Sequence, residues 1–449
     1  MRSCRCPRPS GEALDYPLHS SFLSLTKTPA AANDLATIQQ AIARCRRQTL
    51  ARVAGIQPEI FRTQSHQDFS PVGWHLGHIA YTELLWIAEK IGGLSCLFPQ
   101  RKSQYERLFA ADGLPKADRQ NLPVLAEVLD YLGAVREIAK DVLKTSDIQQ
   151  DAQLWHWLIQ HESQHAETIS MVLAMHSWQE TKQPAPTMPL SSRVATTDMV
   201  LVEAGEFHQG CDDLTAIDNE RSVHPVYLGR YWIDQLPVTC AQYRQFIEVG
   251  GYQTQKWWSP QGWQWQQVAQ LHSPLYWTDD ASFERHPVCG VSWYEADAYA
   301  RFVGKRLPTE AEWAKAAGWN AKTASMQRYP WGDRFDEEDI DAPDSLGNCN
   351  YGHQVGTTTP TDAYPQAASL YGCLDMLGNV WEWTDSWFER YPGFRAFPYE
   401  GYSQVYFDGA HRVLRGGSWA TPRWTLRNSF RNWYHPHKRE MFAGFRCAV

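Results

Sequence analysis

Two histidines one helical turn apart carry the clearest chemical signal in this sequence. The segment HWLIQHESQHAETI (156–169) places His161 and His165 four residues apart, and Glu167 completes an H-x-x-x-H-x-E pattern. On a helix, residues four apart lie on the same face, so both imidazoles can reach one metal ion. The spacing therefore predicts a metal site on a helical face.

A second pair of histidines occurs earlier, in GWHLGHIAYTE (73–83), where His75 and His78 are three residues apart. If the two helices pack together, one can supply two imidazoles and the other a third. Three neutral histidines without a carboxylate make an open site. Such a site suits zinc, and it also suits non-haem Fe(II) that keeps positions free for substrate and O₂.

The letters HESQH also fit the H-E-x-x-H pattern of zinc proteases, in which Glu162 is the general base. Such an enzyme needs a third ligand further along the chain. Only His176 follows before a Pro-rich stretch, and the H-x-x-G-x-x-H extension is missing. The protease is therefore the weaker interpretation.

Helices must position both histidine pairs, and the apolar periodicity predicts them. Residues 1–33 are a predicted disordered tail, and the Pro-, Ser- and Thr-rich residues 179–198 are a predicted linker. Between them, apolar residues recur at three- and four-residue steps in four segments: 34–56, 76–92, 121–143 and 151–178. Four such segments favour an antiparallel four-helix bundle over residues 34–178.

The composition changes over residues 199–449, where apolar runs are shorter and Gly, Pro, Trp and Asn are more frequent. This pattern predicts an α+β domain of short strands and long ordered loops. The stretch 291–318 predicts two short helices. Thr309 lies three residues before Glu312, which is the spacing of a capping box at the start of the second one.

Composition narrows the classes of partner. The 449 residues include Lys+Arg 42 and Asp+Glu 50, a net charge of −8 without a basic block, so nucleic acid is not expected as a partner. There is no run of about eighteen apolar residues and no signal-peptide core, so a membrane is not expected either. The ten cysteines contain no C-x-x-C pair, which is typical of reduced thiols in a cytoplasmic protein.

Seven motifs follow one another in the second half of the chain. They are MVLVEAGEFHQG (199–210), HPVCGVSWYEADAYARFVGKRLPTEAEWAKAA (286–317), YPWGD (329–333), GNCNYG (347–352), LGNVWEWTDSWF (377–388), HRVLRGGSWAT (411–421) and FRNWYHPHKREMFAGFRCA (430–448). In this order they resemble the formylglycine-generating-enzyme (sulfatase-modifying-factor) domain, which has a C-type-lectin-like fold. Members that generate formylglycine carry a copper-binding cysteine pair after R-G-G-S. This chain has none there, so the resemblance implies another use of the fold.

The helical half carries SPVGWHLGHIAYTELLW (70–86) and HESQHAE (161–167). These segments resemble the DinB-like domain that is fused to this module in ergothioneine- and ovothiol-type sulfoxide synthases. The match implies that the iron ligands are His78, His161 and His165, and that His75 is a neighbour. We expect Glu167 to orient one of the ligand histidines without binding the metal itself.

The resemblance implies oxidative C–S bond formation that depends on Fe(II) and O₂. A thiol and the imidazole of hercynine, or of a related histidine, would be joined to give a sulfoxide. The partners are then small molecules: a histidine betaine, a thiol and O₂. Asn432 and Trp433 match the positions that line the pocket for the histidine derivative. For the family's catalytic tyrosine, Tyr391 is the first choice and Tyr399 the second.

One segment departs from the family pattern. Members that use γ-glutamylcysteine have R-N-W-D-Y-P-x-R, whose Asp and Arg hold the thiol. Here Tyr434 and Lys438 stand at those two positions, and lysine lacks the planar bidentate fork of arginine. Both remain expected substrate-binding residues. The departure favours free cysteine as the donor and leaves a selenium donor open.

A second metal is also implied by the resemblance. The segment GNVWEW aligns with a calcium-binding loop of the formylglycine-generating fold. Asn379 and Glu382 could bind Ca²⁺ there through their side-chain oxygens. The alternative is that both side chains bond the loop itself.

Three other functions stay open at this point. The first is a zinc-dependent thiol transferase of the DinB type, and the second is a selenium-using homologue, a selenoneine-type synthase. The third is a non-catalytic C-type-lectin-like binding protein. The open three-histidine pattern argues against the third, because a structural metal is usually enclosed by four ligands.

Overall fold

The structure is a computed structural model, and it describes residues 29–94, 97–180, 198–335 and 347–449. Most of the predicted tail and most of the predicted linker lie outside these ranges. The first helix begins at Pro29, within the predicted tail. Proline favours the first position of a helix, and the three alanines that follow have high helix propensity, which accounts for the earlier start.

Helices build the described part of the chain up to residue 180. They are α1 (Pro29–Arg52), α2 (Pro58–Arg62), α3 (Val72–Glu83), α4 (Lys102–Phe109), α5 (Leu125–Thr145) and α6 (Ile148–Glu180). A π-helical segment, Leu84–Ile91, continues α3.

Four long elements pack around one apolar core, in agreement with the predicted bundle. Helix α1 packs on α6, and α3 packs on both α5 and α6. Buried residues that contribute to this core include Ile38 and Ile42 in α1, Leu76 and Ile79 in α3, and Ile159 in α6. Their spacing of three or four residues keeps each set on one helical face. The packing brings together the two helices that carry the histidine pairs.

Short strands and helices build the described residues from 198 onward. The strands are β1 (Met199–Val202), β2 (Gly205–Gln209), β3 (His224–Leu228), β4 (Tyr231–Asp234), β5 (Trp319–Asn320), β6 (Ser325–Met326), β7 (Trp381–Trp387), β8 (Arg412–Arg415), β9 (Asn432–Tyr434) and β10 (Ala443–Gly444). The helices are α7 (Cys240–Glu248), α8 (Pro260–Ala269), α9 (Trp293–Phe302) and α10 (Glu310–Gly318).

The largest sheet has the strand order β10-β7-β8-β9. Strands β7, β8 and β9 are antiparallel, whereas β10 runs parallel to β7. Val413 in β8 pairs with Trp433 in β9, so the segment 432–434 forms an edge of this sheet. The pairs β1-β4, β2-β3 and β5-β6 make separate two-stranded sheets.

The two predicted short helices are confirmed as α9 and α10. At the start of α10, the Thr309 hydroxyl accepts a hydrogen bond from the Glu312 N–H, and the Glu312 carboxylate accepts one from the Thr309 N–H at 2.7 Å. This is the capping box expected from the sequence. The buried carboxylate of Glu310 then pairs with Arg415 at 2.9 Å and Arg431 at 2.7 Å, which ties α10 to β8 and to the start of β9.

Helix α6 joins the two domains. The Gln164 side chain donates to the Tyr402 hydroxyl at 2.6 Å, and Arg427 donates to the Gln160 side chain at 2.6 Å. The helix that carries two predicted metal ligands therefore faces the second domain directly. None of the described helices combines the length and apolar character that a membrane span requires.

Candidate metal centre

Three imidazoles converge between α3 and α6. His78 comes from α3, and His161 and His165 come from α6. One ring nitrogen of each lies within 4.8 Å of the others. The Nε2 atoms of His78 and His161 are 3.2 Å apart. Two nitrogens that each sit about 2.1 Å from one ion are about 3 Å apart, so this spacing fits a shared metal. The three predicted ligands are thus brought together.

The rings of His78 and His161 are held in place by neighbours. The Nδ1 of His78 lies 2.6 Å from the Phe109 carbonyl oxygen, which directs its Nε2 toward His161. Trp74 stacks on His78 with ring centroids 4.7 Å apart, and Trp157 stacks on His161 at 5.1 Å. Fixing the far nitrogen of a histidine sets the tautomer and the orientation of the nitrogen that meets a metal.

His75 holds the third ring. Its Nδ1 lies 2.9 Å from the Nδ1 of His165, which leaves the Nε2 of His165 for an ion. A metal on that Nε2 requires the proton of His165 to be on Nδ1, where it is donated to His75. The Nε2 of His75 is buried and has no hydrogen-bond partner among the described residues. This geometry places His75 as the predicted neighbour of the ligands.

Burial keeps these imidazoles neutral. It lowers the pKa of His75 to about 3 and that of His78 to about 4. The pKa values of His161 and His165 are well below the ordinary value, first because of burial and then because of the neighbouring histidines. A metal binds the neutral imidazole, so the donor set is in the required state without competing protons.

Glu162 belongs to a buried ionic network. Its carboxylate binds Arg46 at 2.7 Å and Arg136 at 2.6 Å, and the same two arginines bind Glu83 at 2.9 and 2.6 Å. Burial alone raises the pKa of Glu162, but the two arginines outweigh it and lower the value to about 2. A carboxylate engaged in this way cannot serve as the general base that a zinc protease needs.

The structure corrects the role expected for Glu167. Its Oε1 accepts hydrogen bonds from the Trp381 indole at 2.8 Å, the Ser418 hydroxyl at 2.5 Å and the Thr421 hydroxyl at 2.6 Å. All three donors belong to the second domain, and no described hydrogen bond joins this carboxylate to a ligand histidine. Two residues beyond His165, the side chain faces the neighbouring domain instead. Glu167 therefore links the two domains beside the histidine cluster, and the described contact with His165 is made by His75 instead.

A cavity of about 510 Å³ opens in front of the three histidines. Both domains line it, and the helical side contributes Trp74, His75 and Gln164 besides the ligands. The second domain contributes all four predicted substrate-binding residues, Asn432, Trp433, Tyr434 and Lys438. Residues of the second domain therefore face the three histidines of the first across one cavity.

The edge strand β9 supplies an aromatic wall to this cavity. Trp433 stacks on Phe388 with ring centroids 4.3 Å apart and planes 8° apart. The ring centroid of Tyr406 lies 5.5 Å from that of Trp433. The Asn432 side-chain oxygen accepts a hydrogen bond from the Trp433 N–H at 2.9 Å. Aromatic faces held in this way can attract a quaternary ammonium group.

The two tyrosine candidates lie in different surroundings. Tyr391 is outside the cavity lining: its hydroxyl accepts a hydrogen bond from Gln209 at 2.7 Å, and the Arg431 guanidinium lies 4.0 Å above its ring. The second choice, Tyr399, lines the cavity and stacks on Trp86 at 5.7 Å. Tyr399 is 37% exposed, and partial desolvation of its ring raises the pKa of its hydroxyl, which therefore keeps its proton. The position of Tyr391 does not support a role at the metal.

The described contacts offer no place for calcium at Asn379 and Glu382. Both carboxylate oxygens of Glu382 accept hydrogen bonds from Arg446, at 2.7 and 2.8 Å. The Asn379 amide oxygen accepts one from the Thr359 N–H at 2.9 Å, and its nitrogen donates to Asp375 at 2.7 Å. A cation would face the Arg446 guanidinium. The alternative, that both side chains bond the fold itself, is the one the structure supports.

Several cavity residues were missed by the sequence interpretation. Asp68, Lys116 and Arg119 of the helical domain line the cavity, as do Tyr402 and Tyr406 of the second domain. The two tyrosines follow Tyr399 in the same loop, so proximity in sequence was a usable signal. The three charged residues lie in connecting segments where no motif marks them.

Comparisons with known proteins agree with this two-domain site. Residues 184–449 match the family described as sulfatase-modifying factor enzyme 1-like domain, and residues 41–169 match the DinB superfamily. The hercynine oxygenase of Mycolicibacterium smegmatis is 37% identical over 92% of this chain and 98% of that protein. The hercynine oxygenase of Mycobacterium tuberculosis is 38% identical, over 91% and 97%. The formylglycine-generating enzyme of Streptomyces coelicolor is 30% identical over 58% of this chain and 91% of that protein.

Proposed function

The chain belongs to the hercynine oxygenase family, in which a DinB-type domain precedes a sulfatase-modifying-factor domain, and from this membership we propose its reaction. It is an oxygenase that joins a thiol to the imidazole of hercynine, or of a related histidine, in a reaction that uses Fe(II) and O₂ and gives a sulfoxide. The observation that carries the proposal is the set of three histidines, two buried and one half-buried, that faces a cavity walled by both domains.

His78, His161 and His165 are the proposed iron ligands, and the donor set fits that ion. When bound, Fe(II) supplies open positions for O₂ and a thiolate, so that both reaction partners are held beside each other. A fourth protein ligand is absent from the described cluster. A purely structural metal site is usually closed by four ligands, which favours a catalytic role.

The second domain positions the histidine derivative. Trp433 and Tyr406 present aromatic surface to a trimethylammonium group, which binds such faces by cation–π attraction. Asn432 lines the same wall and can hydrogen-bond the rest of the molecule. Lys116 and Arg119 of the helical domain add positive charge to the cavity lining, which favours a carboxylate group of either substrate.

Tyr399 is our proposed proton donor in place of Tyr391. Its ring lines the cavity and is 37% exposed, and a tyrosine hydroxyl, whose ordinary pKa is about 10, is protonated across the physiological pH range. A positioned tyrosine of this kind can deliver a proton to a reacting group without leaving a charge in bulk water.

Free cysteine is the proposed sulfur donor, in preference to γ-glutamylcysteine. The Asp and Arg that hold the longer thiol in the family pattern are replaced by Tyr434 and Lys438, and both replacements line the cavity. The larger Tyr434 ring is half-buried and takes up space on this wall.

The test begins with anaerobic purification and identification of the bound metal. O₂ uptake is then measured with hercynine and cysteine, alone and together. We expect consumption that requires both substrates and is lost in His161→Ala. The matched control is His176→Ala, a histidine further along the same helix that is not part of the cluster. It should retain the uptake.

Other outcomes identify the competing functions. Full occupancy by zinc with no O₂ uptake contradicts the proposal and favours a thiol transferase. A protein that folds and binds ligand without any metal favours a binding module. Uptake with a selenium donor but not with cysteine indicates the selenium-using homologue.

A further inference from the structure

An ion pair joins the two domains at the wall of the cavity. The Lys438 ammonium donates to the Asp68 carboxylate. Asp68 lies four residues before the start of α3, and Lys438 lies four residues after the end of β9. Both side chains line the same cavity as the three clustered histidines. A carboxylate and an ammonium thus stand side by side where small molecules are expected to bind.

The two partners are presented differently. The Lys438 side chain is only 10% exposed, whereas that of Asp68 is 36% exposed. The Lys116 ammonium donates to the Asp68 backbone carbonyl at 2.5 Å, which fixes the loop independently of the Asp68 carboxylate. An ion pair with one exposed partner is weak, so a ligand with opposite charges can insert between the two groups.

Asp68 is the carboxylate in this cavity that can meet a positively charged group of a ligand. Among the described lining residues, the other carboxylate is Glu167, which already accepts three hydrogen bonds from the second domain. Lys438 pairs with Asp68 and Arg431 pairs with Glu310, whereas the two lining cations of the helical domain bind uncharged acceptors. Arg119 donates to two backbone carbonyls and one hydroxyl, and Lys116 donates to a carbonyl. Lys116 and Arg119 can therefore attract the carboxylate of a ligand, whereas among the described lining residues only Asp68 offers a site for an ammonium group.

We propose that Asp68 and Lys438 form the subsite that selects the sulfur donor by its free α-amino-acid end. Asp68 binds the α-ammonium group and Lys438 binds the α-carboxylate, so that the thiol is left to face the three histidines. In a γ-glutamyl derivative the same nitrogen is an uncharged amide, which cannot form this charge-assisted bond with Asp68. The inference rests on the proposed function and adds to it a residue of the helical domain that determines specificity.

A comparison of three thiols tests the two charged groups of the sulfur donor separately. Cysteine carries both, 3-mercaptopropionate lacks the ammonium, and cysteamine lacks the carboxylate. In Asp68→Asn, the KM for cysteine should rise about tenfold or more, while the KM values for 3-mercaptopropionate and hercynine stay within about twofold. In Lys438→Met, cysteine and 3-mercaptopropionate should weaken and cysteamine should not. Lys438→Arg, which keeps the charge, should recover most of the affinity for cysteine.

Asp141→Asn is a matched control. It is the same isosteric change, in an exposed ion pair with Lys144 on α5, far from the cavity lining. This variant should leave every KM unchanged. The Lys116 bond to the Asp68 carbonyl persists in Asp68→Asn, so that variant is expected to fold, and its unfolding temperature is measured alongside the kinetics.

Binding without turnover separates this inference from the proposed function. Calorimetric titration of cysteine into the metal-loaded protein, without O₂ or hercynine, should give an affinity that Asp68→Asn reduces about tenfold or more. If no product forms with any thiol but this loss is seen, the subsite stands and the proposed reaction fails. Equal affinity of the unaltered protein for cysteine and 3-mercaptopropionate, or an unchanged ratio in Asp68→Asn, overturns the inference.

Discussion

The change Glu162→Gln distinguishes a structural carboxylate from a catalytic one. It removes one negative charge from a buried network in which Arg46 and Arg136 are each shared between Glu162 and Glu83. The pKa of Glu162 falls from an ordinary 4.5 to about 2, a difference that corresponds to about 3 kcal/mol of folding free energy. Breaking a buried ion pair typically costs about 3 to 5 kcal/mol, so both approaches agree.

The sign of this contribution fixes its pH dependence. The pKa of Glu162 is lower in the folded state than in the unfolded chain, so its stabilisation is fully present above about pH 4.5. It is lost as the pH falls through about 2. The difference in stability between Glu162→Gln and the unaltered protein should therefore be constant near neutrality and shrink below about pH 4.5.

Urea unfolding followed by far-ultraviolet circular dichroism measures the effect, because the network lies within the helical domain. We expect the helical transition of Glu162→Gln to shift by about 3 kcal/mol, while the folded protein keeps its metal and a kcat within about threefold. Glu137→Gln, in an exposed pair with Lys140 on α5, should shift it by less than about 0.5 kcal/mol. An unchanged transition combined with a kcat about a hundredfold lower would refute the structural role and restore Glu162 as a catalytic group.

Three further changes test the surroundings of the metal. His75→Ala removes the partner of His165 and should weaken metal binding about 10- to 100-fold in a competitive chelator titration; unchanged affinity would mean that His75 does not orient its neighbour. Glu167→Ala removes the shared acceptor of three buried donors of the second domain and leaves the Trp381 indole unpaired, which should cost about 3 kcal/mol in thermal unfolding, with intact stability as the contrary result. Tyr399→Phe should lower kcat about a hundredfold while Tyr391→Phe changes only stability, and the reverse order would return the proton-donor role to Tyr391.

Local spacing determined the parts of the site that could be predicted from the sequence. The His161 and His165 pair is defined by one helical turn, and the capping box at Thr309 is defined by three residues of chain. Such features depend on neighbours in sequence, so helical geometry alone gives their arrangement. His78 required the resemblance to a known family, because its distance to α6 depends on how two helices pack.

The incorrect expectations concern contacts between distant segments. Glu167 was expected to serve its own helix, but its partners Ser418 and Thr421 lie about 250 residues further along the chain. Glu382 was considered as a calcium ligand, but both of its carboxylate oxygens accept hydrogen bonds from Arg446, 64 residues further along the chain. In each case a buried carboxylate needs hydrogen-bond donors. Which distant residues supply them depends on tertiary packing, and sequence spacing does not predict it.

Under the proposed function, the division of the site between two domains gives metal chemistry and donor selection separate structural bases. The proposed ligands His78, His161 and His165 lie on helices α3 and α6. Their imidazole rings are held by stacking and by hydrogen bonds within the helical domain. The segment from Tyr434 to Lys438 begins at the last residue of the edge strand β9, on whose outer side no further described strand pairs. Substitutions there can alter which thiol is bound without moving a ligand nitrogen. Under the proposed function, we therefore expect sequence departures in this segment to change the donor rather than the reaction, and the pairing of Lys438 with Asp68 gives the helical domain a contact through which it can take part in that choice.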